Sequence, residues 1–351
     1  MTSATPTLGV VIVTFNSADV ILDCLESLLG ATGVRLAITV VDNASLDDTV
    51  ATLKAWASGD TAYTWPEDVA FAHAPVAKPL TLHGAEAACL AETGHRVTLL
   101  ETGVNGGFAA GVNHGLAHLA ACAEVDRFWI LNPDSVVPPG TAAAFATAPA
   151  GPAGFSLMGG RVIYLDGQSD RIQIDGGLID RRFGITRNCH QHQTHAETPP
   201  PDPAALDFIT GASMVASRAF YERAGPLPEE YFLYFEEVDW ALKRGDLPLA
   251  YCAEGIVYHR AGTAIGSVKP GQPASPFSLY FMHRNRLRFV RRHFPGSVAG
   301  AVVYSLMKAA QFAAKGYGAG ARAVLAGTFN RRPPEAIRHR LAQGPTRHAF
   351  E

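Results

Sequence analysis

Glu236-Glu237-Val238-Asp239 places three carboxylates within four residues, flanked by Phe232, Leu233, Tyr234, Phe235 and Trp240. Val238, Ala241 and Leu242 are apolar and Lys243 and Arg244 follow, which reads as a short helix opening on the acids. Acids in a first turn are favoured by the helix dipole, a purely structural explanation. The aromatic flank adds a chemical one. A carboxylate among rings is partly desolvated, which raises its proton affinity towards that of a general base.

Four further polar clusters carry oxygen or amide groups that could meet a ligand. Asn132-Pro133-Asp134 sets two hard oxygen donors two residues apart, suited to Mg²⁺ or Mn²⁺ bridging nucleotide phosphates, or to an Asx turn before Pro138-Pro139. Asp42, Asn43 and Ser45 could form an N-capping loop with Ser45 or Asp47 as cap. Alternatively, Asp42 could accept from a pyrimidine N–H. Asn105-Gly106-Gly107-Phe108 allows close backbone approach at a helix start, which favours phosphate or sugar oxygens. Thr14 and Asn16 follow the first apolar run. His259 stands downstream of the acids as either a core residue or a metal ligand. Gly103 to Gly111 does not match G-x-G-x-x-G and follows the third strand rather than the first, so no dinucleotide cofactor is expected. His190, His192 and His195 lack a Cys or carboxylate partner at fixed spacing, which favours a mobile surface loop over a metal site.

The elements that must position these groups alternate. Leu8–Val13 is a continuous β-branched run, followed by Ser17 as a plausible N-cap and helical spacing from Val20 to Gly30. Strands are expected at 36–41, 97–101 and 127–131, so the fold reads as a doubly wound α/β sheet. In such sheets ligands bind at the carboxyl ends of the strands, and every polar cluster above falls at one. Residues 58–95 are weakly patterned, with a short strand expected near 70–74. Residues 151–187 suggest a hairpin-rich insert, and strands are expected at 208–217, 249–252 and 256–259. After Gly266 the chain turns basic and helical. Ser297 to Phe329 reads as one long Ala-rich helix, with Lys308, Lys315 and Arg322 seven apart on one face. That helix could pack on the domain with a solvated stripe, lie on an anionic membrane, or pack against a second copy in a homodimer. Arg331 to Glu351 should fray.

The chain's 351 residues, 48% hydrophobic and 17% charged, suit one large α/β domain with an appendage. A net charge of −3 argues against a nucleic-acid binder. Five scattered cysteines suggest reduced thiols in a cytoplasmic setting, without disulfide or zinc site. Met1 to Thr7 shows no secretory signal, and no apolar run is long enough to span a membrane.

The motifs Val11-Ile12-Val13-Thr14-Phe15-Asn16, Val41-Asp42-Asn43-Ala44-Ser45, Asn105–Asn113, Asn132-Pro133-Asp134, Tyr234–Asp239 and Tyr258–Thr263 occur in the order seen in family 2 glycosyltransferases. The chain most resembles their bacterial rhamnosyltransferase-like branch, including Arg284-Asn285-Arg286 after Leu279-Tyr280-Phe281. The resemblance spans about residues 8 to 293. It implies a GT-A fold, a mixed sheet with helices on both faces, here with a C-terminal helical extension. It further implies a dTDP- or UDP-sugar donor, inversion at the anomeric carbon, and a glycan or lipid-linked glycan acceptor. The implied division is a nucleotide-sugar half (1–135), an acceptor and catalytic half (136–265) and the extension (266–351). Thr14, Asn16, Asp42, Asn43 and Ser45 would hold the nucleoside, and Asn105, Gly107, Phe108, Asn113 and Asn132 would line the donor site. Asp134 and His259 would bind a divalent cation. Glu237 stands where the family has its catalytic Asp, with Glu236 and Asp239 as rivals. Two other readings are a degenerate, glycan-binding module and a nucleotidyltransferase. The latter lacks its Gly-rich basic loop after the first strand.

Overall fold

A computed structural model describes residues 5–87, 90–91, 93–166, 170–260, 273–341, 344–347 and 349. In chain order its main elements are β1 (Thr7–Thr14), α1 (Ile21–Leu29), β2 (Arg35–Asp42), α2 (Thr49–Ser58), β3 (Leu82–His83), β4 (Arg96–Glu101), α3 (Gly107–Ala120), β5 (Arg127–Leu131), β6 (Ser135–Val136), α4 (Thr141–Thr147), β7 (Leu157–Tyr164), β8 (Ile172–Ile174), β9 (Gly177–Asp180), β10 (Ile185–Asn188), β11 (Ser213–Ser217), α5 (Arg218–Ala224), α6 (Glu236–Leu242), β12 (Ala250–His259), α7 (Pro276–His293), α8 (Val298–Ala314), α9 (Gly318–Thr328) and α10 (Glu335–Leu341).

The main sheet runs β3-β4-β2-β1-β5-β11-β7-β12-β6, with β8 paired to β7. The first five strands in this order are parallel. β11 pairs antiparallel with both β5 and β7, so the sheet is mixed and continuous across position 135. Alternation within β1 shows why it is central. Leu8, Val10 and Ile12 pack on one face with α1, α2 and α4, while Val11 and Val13 pack on the other with α3. Each such buried Val, Leu or Ile contributes about 1.5–3 kcal/mol. The glycines of α3 serve this packing. A Cβ on Gly111 or Gly115 would lie 2.5 Å or 2.4 Å from the methyls of Val13 and Val11.

Several local expectations change. Ser17 lies before α1 with its carbonyl accepting from Ile21 N, and no side chain caps that helix. No strand forms at 70–74; the edge strand is β3. The strand expected at 208–217 begins only at Ser213. The two strands expected at 249–259 are one, β12, with an irregularity between Tyr251 and Ile256. The long helix expected at 297–329 is two. The chain turns at Gly316, whose φ is 76°, so Lys308, Lys315 and Arg322 do not share one helical stripe. The tail beyond 331 is partly built in. Asn105 N donates to Pro345 O (2.8 Å), Arg347 N donates to Asn105 O (2.9 Å), and Arg284 donates to Ala349 O. Cys122 is disulfide-bonded to a partner outside the described residues, which corrects the expectation of five reduced thiols. The loop histidines are held in place, His190 and His195 through the buried Asp175–Arg161 pair. His190 meets Asp175 (2.8 Å), Arg161 donates to the His195 carbonyl (2.9 Å), and His192 stacks on Tyr164.

Candidate functional site

The acid cluster sits at the start of α6, behind a loop of unusual backbone. Phe232, Tyr234 and Phe235 have φ of 62°, 70° and 75°. Non-glycine residues at positive φ cost of order 1–3 kcal/mol each and persist only where the surroundings hold them. The hold comes from α7. Asn285, fully buried, donates through Nδ2 to the carbonyls of Tyr231 (2.8 Å), Leu233 (2.6 Å) and Tyr234 (3.0 Å). Arg284 donates to Tyr231 O and, through Nε, to Asn285 Oδ1.

The three carboxylates end up in different situations. Asp239 is wholly buried and locked. Tyr231 OH donates to its Oδ2 (2.6 Å), which also meets Arg292 (2.9 Å) and His293 (3.1 Å). It ties α6 to α7 through Oδ2, while its Oδ1 is shielded and without a hydrogen-bond partner. Glu236 is buried with Oε2 unpartnered. Burial and the Glu237 carboxylate push its pKa well above the ordinary range. Glu237 is partly exposed as a residue, yet its Oε2 is shielded and unpartnered. Burial pushes its pKa up to about 7, against nearby backbone N–H groups that favour the ionised form.

Gly211 links Glu237 to the strand-end groups. Its Cα hydrogen faces the Phe108 ring, 3.3 Å from an added Cβ, and Glu237 Cβ, 3.8 Å away. The next residue, Ala212, accepts from Asn132 N at 3.0 Å. Asn132 Nδ2 lies 3.1 Å from His259 Nε2, and that nitrogen lies 2.9 Å from Asp134 Oδ1. Asn132, Asp134 and His259 therefore form one bonded cluster at the carboxyl ends of β5 and β12, with Gly211, Phe108 and the start of α6 beside it. His259 Nδ1 is 2.9 Å from Gln173 Oε1, a contact that orients the ring with Nε2 towards Asp134. Gln173 was not foreseen; its β8 strand packs from a distant part of the chain.

The β1–β2 loops form the neighbouring wall. Thr14 Oγ1 (3.0 Å) and Ser45 Oγ (2.5 Å) donate to Asp42 Oδ1, and Ser45 N donates to Oδ2 (3.0 Å). Asn16, exposed and at φ 54°, accepts from Leu46 N through Oδ1 (2.7 Å) and donates its N–H to Ser45 Oγ (3.0 Å). Asn43 is buried and faces α3, donating to Gly107 O (2.8 Å) and Asn105 Oδ1 (3.1 Å).

Two expected ligand contacts are committed elsewhere. The amides at the start of α3 go to Asn43 Oδ1, Asn105 Oδ1 and Phe232 O, so they are not open to a phosphate. Gly107 is glycine because a Cβ there would lie 2.3 Å from Phe232 O. Asn113 uses its whole amide on Leu227 N, Leu227 O and Glu229, so it is not open to a ligand.

A divalent cation fits part of this donor set. Asp134 and His259 offer one hard and one borderline ligand, oriented by Gln173. Among the described residues no group of three or more His, Cys, Asp or Glu could hold a metal alone. Such a pair suits a cation that takes its remaining ligands from substrate phosphates.

Residues 9–73 match the model of Glycosyl transferase family 2. No curated protein matches the chain. Mannosyltransferase PcManGT from Pyrobaculum calidifontis, solved with GDP-Man and Mn²⁺, is similar in structure with TM-score 0.51 and 14% identity, over 93% of this chain and 87% of that one. GalNAc-T7, solved with UDP, GalNAc and Mn²⁺, gives 0.48 and 12% over 82% of this chain; the match spans 48% of its length, about half. S. aureus TarS 1-349 with UDP-GlcNAc gives 0.45 and 16% over 81% and 66%. The mixed α/β architecture is that of the GT-A glycosyltransferases.

Proposed function

We propose that the chain is a family 2 glycosyltransferase that moves a sugar from a nucleotide-sugar donor to an acceptor hydroxyl with inversion. The observation that supports this reading is the bonded Asn132–Asp134–His259 cluster, with Gly211, the neighbour of Ala212 that accepts from Asn132 N, lying against Glu237, whose proton affinity suits neutral pH. The donor is proposed to sit in a hollow beside them. The family match over β1 to β2 and the GT-A architecture support it.

Thr14, Asn16, Asp42 and Ser45 hold the nucleoside, and Asn132 and Phe108 line the donor beside it. Asn43, Asn105 and Gly107 shape that wall from behind. Asp134 and His259 would hold Mg²⁺ or Mn²⁺, which supplies charge stabilisation for a departing diphosphate. Glu237 Oε takes the proton of the acceptor hydroxyl, whose oxygen attacks the anomeric carbon opposite the nucleotide. Glu236, neutral at that point, spares Glu237 a second adjacent charge. Residues 1–135 form the nucleotide-sugar half and 136–265 the acceptor half. The resemblance favours L-rhamnose from dTDP-rhamnose as the sugar, with a polysaccharide or lipid-linked glycan as acceptor.

The test incubates the purified chain with dTDP-rhamnose and a panel of UDP- and GDP-sugars and measures nucleoside diphosphate release. Release from one donor, suppressed by EDTA and restored by Mn²⁺, is expected. Asp134→Asn should reduce it about 10²-fold or more, the scale of losing charge stabilisation at a leaving group. Donor binding without release, by hydrolysis or transfer, would favour the binding-module reading.

A further inference from the structure

We propose that α8, with the adjoining face of α9, lies on an anionic lipid surface. α8 is apolar over most of its surface, with Lys308 and Gln311 the exceptions besides the buried Ser305. Only Ala301, Ser305 and Ala309 are buried, one narrow stripe four residues apart facing the rest of the protein. The opposite face exposes Val303 (52%), Leu306 (42%) and Met307 (50%), followed one and two turns on by the exposed Ala310 and Ala314. After the turn at Gly316, α9 packs back against α8 and exposes Arg322, Leu325 and Phe329, which share a face at spacings of three and four.

Charge chooses the occupant. From Gly255 to Pro334 the chain holds no Asp or Glu and twelve Lys or Arg. The other residues, with 17 cations against 32 acids, carry the opposite charge. Some of the twelve are internal, as with Arg284 and Arg286. Lys315, Arg322, Arg331 and Arg332 are exposed at the ends of α8 and α9. An apolar stripe in a segment whose charged side chains are all cations matches the acyl boundary and headgroups of an anionic leaflet. A second copy would bring the same cations against each other. No helix among the described residues is long and apolar enough to cross a membrane, so the helices lie on the surface. This inference does not depend on the transferase reading.

The test is flotation of the full chain with vesicles of phosphatidylcholine alone or mixed with phosphatidylglycerol. Binding is expected to the mixed vesicles and to weaken with salt. Leu306→Glu with Met307→Glu should lower the partition about tenfold or more, because it removes the apolar contact. Both positions are exposed and Glu is a good helix former, so the variant should melt like the parent. Lys315→Gln and Arg322→Gln should each weaken binding to mixed vesicles about fivefold and leave binding to neutral ones unchanged. No binding to mixed vesicles, or equal binding by the folded double Glu variant, would overturn the proposal. So would a dimer that the same variant dissociates without lipid involvement.

Discussion

At the scale of the residue, the three carboxylates of one short segment are separated by what packs on each. Asp239 receives a phenol, a guanidinium and an imidazole on Oδ2, whereas Glu237 receives none of these, although each keeps one shielded, unpartnered oxygen. The rate should therefore follow the ionised form of Glu237, with kcat/KM rising through about pH 7, the value to which burial pushes that carboxyl. Glu237→Gln should lower kcat about 10²–10⁴-fold with donor KM nearly unchanged. Stability moves the other way. The folded pKa lies above the ordinary 4.5, so the native state holds the extra proton and loses stability as pH rises between 4.5 and about 7. Glu237→Gln should melt above the parent near about pH 8 and with it near about pH 4, a comparison of two melting curves that also shows the variant is folded. Unchanged turnover in that variant would remove Glu237 from the base role. The composition of the segment pointed to a base. Composition did not separate the acids, because Arg292 and His293 reach Asp239 only once α7 is docked.

At the scale of the element, the strand ends were readable and the clasp was not. β1, β2 and β5 are short β-branched or aromatic runs whose burial on both faces demands such residues, and they fall within a residue of the expected bounds. The break between α8 and α9 was hidden because an Ala-rich run keeps its helical pattern across Gly316. The positive-φ loop before α6 was hidden because Phe and Tyr rarely adopt it, and only contacts from α7 make it stable. Arg284-Asn285-Arg286 showed as a motif, but its work as a clasp requires the folded chain. Asn285→Ala strips the donor from three loop carbonyls. It should cost about 2–4 kcal/mol in chemical denaturation, since each unsatisfied buried group costs about 1–3 kcal/mol. The loop sets the start of α6, so kcat should fall about tenfold or more while donor binding survives. Asn285→Asp keeps the volume but sets a carboxylate against three carbonyl oxygens. It should be no better than Ala, which would separate the donated hydrogen bonds from mere packing.

At the scale of the whole molecule, the proposed hollow is a joint. The Thr14–Asp42–Ser45 wall comes from the parallel strands, whereas Gly211, Glu237 and His259 come from the turn before β11, from α6 and from β12, across the antiparallel pairing of β5 with β11. A ligand that touches both sides stabilises the folded chain against unfolding as a unit, by RT ln(1 + [L]/Kd). At a hundredfold excess over Kd that is about 2.7 kcal/mol, or several degrees of Tm for a chain of this size. Nucleoside diphosphates let the two sides be weighed separately, because in the proposed reading the base would meet the Asp42 wall and the diphosphate would reach Asp134 and His259. With Mn²⁺ present, one of dTDP, UDP and GDP should raise Tm by that amount, and the ranking names the base. Without Mn²⁺ the shift should shrink without vanishing, since the nucleoside contacts remain. Asp134→Asn should respond to the nucleotide with or without Mn²⁺ as the parent does without it. Asp42→Asn leaves a neutral group between Thr14 and Ser45 and should lose the preference among bases first. If no nucleotide moves the transition in the presence of Mn²⁺, the hollow does not receive a nucleotide-sugar donor and the transferase assignment falls with it.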